Sequence, residues 1–152
     1  MYALTTLTTL ATLITATLAG PVVERLPNHP GLGRIVKRGE GVHLVNCVNY
    51  SAVVYCANDS DCNHFPGSGN QCIPDGGGIT HWEGGDKRCT FPGTGTEFKW
   101  NIRSDAQSQA NYVNVGTGNN GFHGFTIFKD DKHVMYKDGN GNACSSIYYA
   151  LP

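Results

Sequence analysis

Thr96-Glu97-Phe98-Lys99-Trp100-Asn101-Ile102 alternates large apolar and polar side chains with a period of two. In an extended chain successive side chains point to opposite faces. Phe98, Trp100 and Ile102 therefore share one buried face, and Glu97, Lys99 and Asn101 share the other. Other β-prone runs flank this stretch at residues 42–48, 51–56, 79–82, 88–91, 112–115, 122–129, 133–137 and 145–150. Val42, Leu44 and Asn46 alternate with His43, Val45 and Cys47, and Val134 and Tyr136 alternate with His133 and Met135. Phe122, Phe125 and Ile127 are expected in the core. A tight turn is expected at Asn49-Tyr50, and others at Gly93-Thr94-Gly95, Gly118-Asn119-Asn120-Gly121, Asp130-Asp131 and Asp138-Gly139-Asn140-Gly141. Residues 58–78 read as loop, and residues 104–110 as one helical turn at most. Gly116-Thr117-Gly118-Asn119-Asn120-Gly121 spells a dinucleotide fingerprint, but it lies between two β runs with no helix after it, so it reads as a turn. The expectation is an all-β fold: a small, disulfide-stabilised antiparallel β-sandwich or barrel of about 7–9 short strands.

This β-rich part begins only after Lys37-Arg38. Residues 2–19 are almost entirely Ala, Leu, Thr and Ile with no charged side chain, and residues 1–19 read as a secretory signal peptide. The run is close to the roughly 18 residues a membrane span needs, but threonine dilutes it and no basic cluster follows directly, so no stable span is expected. Residues 20–38 contain Pro21, Pro27 and Pro30 with Gly31 and Gly33, a density that prevents a regular helix or central strand. They read as a pro-segment ending in a dibasic site, Lys37-Arg38, for a processing protease. A second pair, Lys87-Arg88, directly precedes Cys89 and is expected to be shielded by the fold. The mature domain is then residues 39–152: 152 residues less the first 38 leaves 114, enough for one domain.

Residues 39–152 hold seven Lys and Arg against eleven Asp and Glu, a net charge of −4 with histidine neutral. That balance disfavours nucleic acid as a partner, because neutralising phosphates needs a basic face. All six cysteines, Cys47, Cys56, Cys62, Cys72, Cys89 and Cys144, lie in this part. An even set in a secreted chain implies three disulfides, in any of 15 connectivities. Zinc is not expected, since no Cys-x-x-Cys pair occurs. Asn49-Tyr50-Ser51 and Asn58-Asp59-Ser60 are glycosylation sequons.

Two constellations could carry chemistry. Asp138-Gly139-Asn140-Gly141-Asn142 copies the opening oxygens of an EF-hand loop, but Ala143 and Tyr149 stand where that loop needs its glycine and its bidentate Glu. A hairpin turn accounts for it, and no metal or other cofactor is expected. His81, Glu83, Arg103 and His123, in that order, resemble the His, Glu, Arg, His set of small secreted guanyl-specific fungal ribonucleases. The resemblance implies Glu83 and a histidine as base and acid, with Arg103 stabilising the phosphorane. It rests on residue types in order, and the first two spacings differ. No Gly-x-Ser-x-Gly elbow of a serine hydrolase is present.

The leader, the Arg34 to Arg38 dibasic segment and the six cysteines after it together resemble the small secreted cysteine-rich proteins of filamentous fungi, kexin-processed effectors and killer-toxin-like proteins. That resemblance covers the plan of the chain and no aligned motif. It implies an extracellular virulence or toxin-like glycoprotein, more a binder than an enzyme, acting on an extracellular or host protein or carbohydrate. A ribonuclease-like hydrolase and a cell-wall-associated structural protein are the alternatives.

Overall fold

The computed structural model describes residues 39–74 and 76–152. The expected signal peptide, pro-segment and Lys37-Arg38 site lie outside the described residues. Nine strands run in chain order: β1 Gly41–Asn46, β2 Ser51–Cys56, β3 Gln71–Cys72, β4 Gly85–Thr90, β5 Glu97–Ile102, β6 Asn114–Asn119, β7 Gly124–Lys129, β8 Val134–Lys137 and β9 Ala143–Leu151. They form one antiparallel sheet in the order β3-β2-β1-β9-β7-β6-β5-β4, with β8 beside β9 off that path. Three short 3₁₀ turns, Asp59–Asp61, Ser68–Asn70 and Ala106–Ser108, complete the elements. The all-β, disulfide-bonded expectation holds. The sheet curls into a nearly closed barrel.

The two ends of the sheet, β3 and β4, meet without a backbone ladder. The Cys72–Cys89 disulfide joins them, and the Gly93 N–H donates to the Gly69 carbonyl at 3.3 Å beside it. An open sheet leaves two unpaired edges; here a covalent latch closes the seam.

The interior is aromatic. Phe98, Trp100 and Ile102 of β5 all point inward, as their alternation requires. Phe98 meets Phe125 edge-on with ring centroids 5.5 Å apart, and Trp100 lies 5.7 Å from Trp82. These rings need small neighbours, and β6 supplies them. Gly116 pairs with Ile102 and Ile127, and Gly118 with Trp100 and Phe125. A Cβ on Gly118 would come within 2.6 Å of the Phe98 ring, and one on Gly116 within 2.2 Å of the Asn101 carbonyl. The Gly116–Gly118 stretch is therefore strand, not the turn its letters suggest. The turn itself begins only at Asn120.

β1 and β2 are buried on both faces. Val42, Leu44 and Val53 face the barrel, while Val45, Ala52 and Val54 face a second, smaller core with Met135, Tyr136 and Cys62. Cys47–Cys144 and Cys56–Cys62 bond within that second core. All six cysteines are thus paired. Cys144 reaches 97 residues back and ties β9 to the end of β1.

Other expectations need correction. Residues 79–82 are not a strand. They cross one end of the barrel, held by Ser51 N–H to the Gly78 carbonyl at 2.8 Å and Thr80 N–H to Ser51 Oγ at 2.9 Å. From there Trp82 enters the core and its indole N–H donates to Asn46 Oδ1 at 2.9 Å. Buried polar groups need partners, and these side chains replace the missing ladder. The loop region at 58–78 contains the two-residue strand β3. Phe122 and Val134, expected inside, are 78% and 55% exposed, and Met135 is buried instead. Phe122 falls in the β6–β7 turn, where strand parity no longer applies. Lys87-Arg88 lies within β4. Among the described residues no helix is long and apolar enough to cross a membrane.

Candidate functional site

The four residues with ribonuclease-like order form three separate ion pairs. His81 Nδ1 lies 3.3 Å from Glu83 Oε2. Arg103 Nε binds Asp105 at 2.9 Å. His123 Nε2 faces Glu40 Oε1 at 3.4 Å. Gly84 bonds to Ile102 at the far end of β5, whereas the β6–β7 turn that carries His123 begins after Asn119, opposite Lys99. His123 therefore lies toward the other end of β5 from Glu83 and Arg103, and the four side chains are engaged in separate pairs.

Glu83 itself is a structural group. It is only 4% exposed. Its Oε1 accepts a hydrogen bond from the Tyr148 hydroxyl, and another from Gln107 Nε2 at 2.9 Å. Gln107 Nε2 also donates to the Tyr148 oxygen at 2.7 Å. Burial would raise the Glu83 carboxyl, but the bonds from Tyr148 and Gln107, its own backbone N–H and the nearby His81 outweigh it and hold the group below its ordinary value. Burial, then the bond to Glu83, pushes the Tyr148 hydroxyl up. Glu83 is thus a hydrogen-bonded acceptor at the plugged end of the barrel, its carboxylate form favoured by these bonds. Its sequence signal, His81 two residues before it, was legible; Gln107 and Tyr148, 24 and 65 residues away, carry none.

A serine–histidine–aspartate row exists that spacing alone does not announce. His43 Nδ1 lies 3.1 Å from Ser146 Oγ, and Nε2 lies 3.0 Å from Asp59 Oδ1. Ser146 is 0% exposed and its hydroxyl also reaches the Tyr148 carbonyl at 3.5 Å. A nucleophile must meet substrate, and this one is sealed between β1 and β9. The row fastens the outer face of those strands to the Asp59 turn.

Two groups of potential metal donors are also accounted for by internal bonds. His43 and Asp59 lie near Cys62, but Cys62 is bonded to Cys56 and offers no thiolate. Asp130, Asp131 and His133 cluster near the surface, where His133 Nδ1 binds Asp131 Oδ1 at 2.7 Å and the Tyr112 hydroxyl donates to Asp131 Oδ2 at 2.6 Å. The Tyr112 bond, against a smaller burial effect and with help from His133, holds the Asp131 carboxyl at about 2, and that bond raises the Tyr112 hydroxyl to about 12. The calcium-like Asp138 spends its oxygens on its own turn: Oδ1 accepts from the Asn140 and Asn142 N–H groups, both at 2.9 Å. Burial would raise its carboxyl, yet these bonds, the Asn142 amide and Tyr50 together lower it.

The surface offers a different kind of site. Phe122 stands at the tip of the β6–β7 hairpin with 78% of its surface in solvent. The loop beneath it is tied by its own side chains. Asn119 Oδ1 accepts from the Gly121 N–H at 2.6 Å, and Asn120 Oδ1 accepts from Phe122 and His123 at 2.9 and 2.8 Å. Asn120 N–H closes the turn onto the His123 carbonyl at 3.2 Å. His123 in turn leans on Glu40, just before β1. Phe122 is expected in the core with Phe125 and Ile127, but the expected Asn119-Asn120-Gly121 turn sets it outside the strand that buries them. Two shallow depressions elsewhere, one along the seam by Gln71, Arg88 and Glu97 and one by Asn101, Arg103 and Asn114, include neither Glu83 nor His123.

No protein-family model matches the chain, and neither a curated protein nor a solved structure matches it significantly.

Proposed function

We propose that this chain is a secreted, non-enzymatic binding protein of the effector or toxin type, which engages an extracellular or host target through the β6–β7 hairpin with Phe122 as its anchor. The observation that carries this reading is a large aromatic side chain held out into solvent by a turn whose backbone is already fixed by asparagine side chains. An exposed aromatic on a rigid support costs little entropy to bury and is the usual kind of residue to dominate an interface. The disulfide-bonded barrel supplies that support and suits an oxidising, extracellular setting. The net charge of −4 in residues 39–152 speaks against a nucleic-acid target. The ribonuclease-like alternative loses its geometry because Glu83, Arg103 and His123 face different partners.

Burying Phe122 in a partner's pocket is worth about 2 kcal/mol, or roughly 30-fold in affinity. The test is saturation binding of the labelled mature protein to suspended plant and fungal cells, with Phe122→Ala alongside. Binding that saturates and weakens about 30-fold in the variant supports the proposal. RNA cleavage by the wild type that disappears in Glu83→Gln would replace it with the hydrolase reading.

A further inference from the structure

The two sequons differ in what the fold does with them, and we infer that Asn49 carries an N-linked glycan while Asn58 does not. The inference rests on the proposed secretory route, which supplies the donor, a lipid diphosphate-linked oligosaccharide. In the transfer, the Asn49 amide nitrogen attacks the anomeric carbon of the sugar. The bond from that carbon to the diphosphate oxygen breaks, a carbon–nitrogen bond forms, the diphosphate leaves with the electron pair, and the nitrogen loses one proton to base. No oxidant or reductant is needed.

Asn49 is exposed at the tip of the β1–β2 turn, and among the described residues its side chain makes no hydrogen bond. The turn is closed below it by the Cys47 N–H to the Tyr50 carbonyl at 2.8 Å, so a glycan would project into solvent. Asn58 is half-buried. Its Oδ1 caps the Asp59–Asp61 turn by accepting from the Ser60 N–H at 3.3 Å, the backbone of the very residue its sequon requires.

Timing separates the sites further. In the finished fold the Ser51 hydroxyl of the first sequon is 0% exposed and bonded to Asn46 Oδ1 at 2.6 Å, so Asn49 must be modified before the hairpin sets. Its disulfide cannot lock early. Cys47 waits for Cys144, 97 residues later, which at about 5–20 residues per second takes about 5–20 s. The two cysteines of the Cys56–Cys62 loop, separated by only 6 residues, are both made within about a second of each other, so this loop can close around Asn58 while Cys47 still lacks its partner. A large transferase needs an accessible, flexible acceptor segment, as a protease does. Asn49 remains one and Asn58 does not. The glycan would occupy the opposite end of β1 from Glu40 and the His123 pair, leaving the Phe122 hairpin clear.

The experiment expresses the full chain in a secreting yeast and measures intact mass with and without endoglycosidase. The chains are wild type, Asn49→Gln and Ser60→Ala; the last removes the second sequon yet keeps the Asn58 cap, which uses only the residue-60 backbone. The expected result is one glycan on wild type and Ser60→Ala and none on Asn49→Gln. A glycan that survives Asn49→Gln or is lost in Ser60→Ala overturns the assignment. Secreted, leader-free wild type without sugar overturns the assignment alone, whereas a chain retained in the cytosol with its leader overturns the secretory reading and the assignment with it.

Discussion

Replacing Cys47 and Cys144 together by alanine removes the longest covalent loop in the molecule, and loop length sets the expected loss. In the chain-entropy treatment the Cys47–Cys144 bridge, with a separation of 97 residues, stabilises by about 4.7 kcal/mol. The same relation gives about 3.2 kcal/mol for Cys72–Cys89, separated by 17, and about 2.4 kcal/mol for Cys56–Cys62, separated by 6. All six sulfurs are at least half-buried and each double substitution deletes the same two atoms, so packing losses largely cancel from the ranking. Urea unfolding followed by the fluorescence of buried Trp82 and Trp100 measures it. With a slope of about 2 kcal/mol per molar, removing Cys47–Cys144 lowers the midpoint by about 2.3 M and removing Cys56–Cys62 by about 1.2 M. A Cys56→Ala, Cys62→Ala protein as unstable as the Cys47→Ala, Cys144→Ala protein would refute this reasoning, because the stabilisation would then reside in the native contacts and not in the constrained chain.

Two further outcomes follow from buried polar groups. Tyr148→Phe leaves the Glu83 carboxylate with Gln107 and the exposed His81 as its side-chain partners and should cost about 1.5–3 kcal/mol in the same urea assay, against a smaller loss for Gln107→Ala at the exposed rim. The Glu83 carboxyl is lowered in the folded state, so its contribution is present above the unfolded carboxylate value and is lost as pH falls through the folded one. Tyr148→Phe should therefore flatten the acid side of the stability profile, and an unchanged acid limb would count against the Tyr148–Glu83 bond. The Tyr136 hydroxyl is buried with no hydrogen-bond partner among the described residues, so Tyr136→Phe should be neutral or stabilising by up to about 1 kcal/mol; a clear loss in melting temperature would show that the hydroxyl is in fact satisfied.

Much of the fold could be read from period-two alternation, because β5 buries one face and wets the other. Where both faces are covered or the backbone is crowded, local pattern misleads. Gly116 and Gly118 look like a turn, yet they are strand residues whose missing side chains make room for Phe98 and Asn101, an arrangement visible only once β5 and β6 are paired. Residues 79–82 look like a strand, but they are held by the Ser51 and Asn46 side chains and a single backbone bond at Gly78, partners that local pattern does not show. The disulfide pairing was beyond reach for the same reason: Cys72 and Cys89 meet only because the sheet curls. For the site, composition found the histidines and carboxylates but not their partners. His81 and Glu83 pair with each other, Arg103 pairs with Asp105 and His123 with Glu40, while Phe122, expected in the core, lies outside on the hairpin.

The central claim is that this barrel presents Phe122 for binding, and saturation binding to suspended plant and fungal cells tests it most directly, with Phe122→Ala and Val134→Ala compared. Both side chains are exposed, so both variants should fold as the wild type does. The account predicts a loss of about 30-fold for Phe122→Ala and essentially none for Val134→Ala. Equal binding by all three proteins would contradict it.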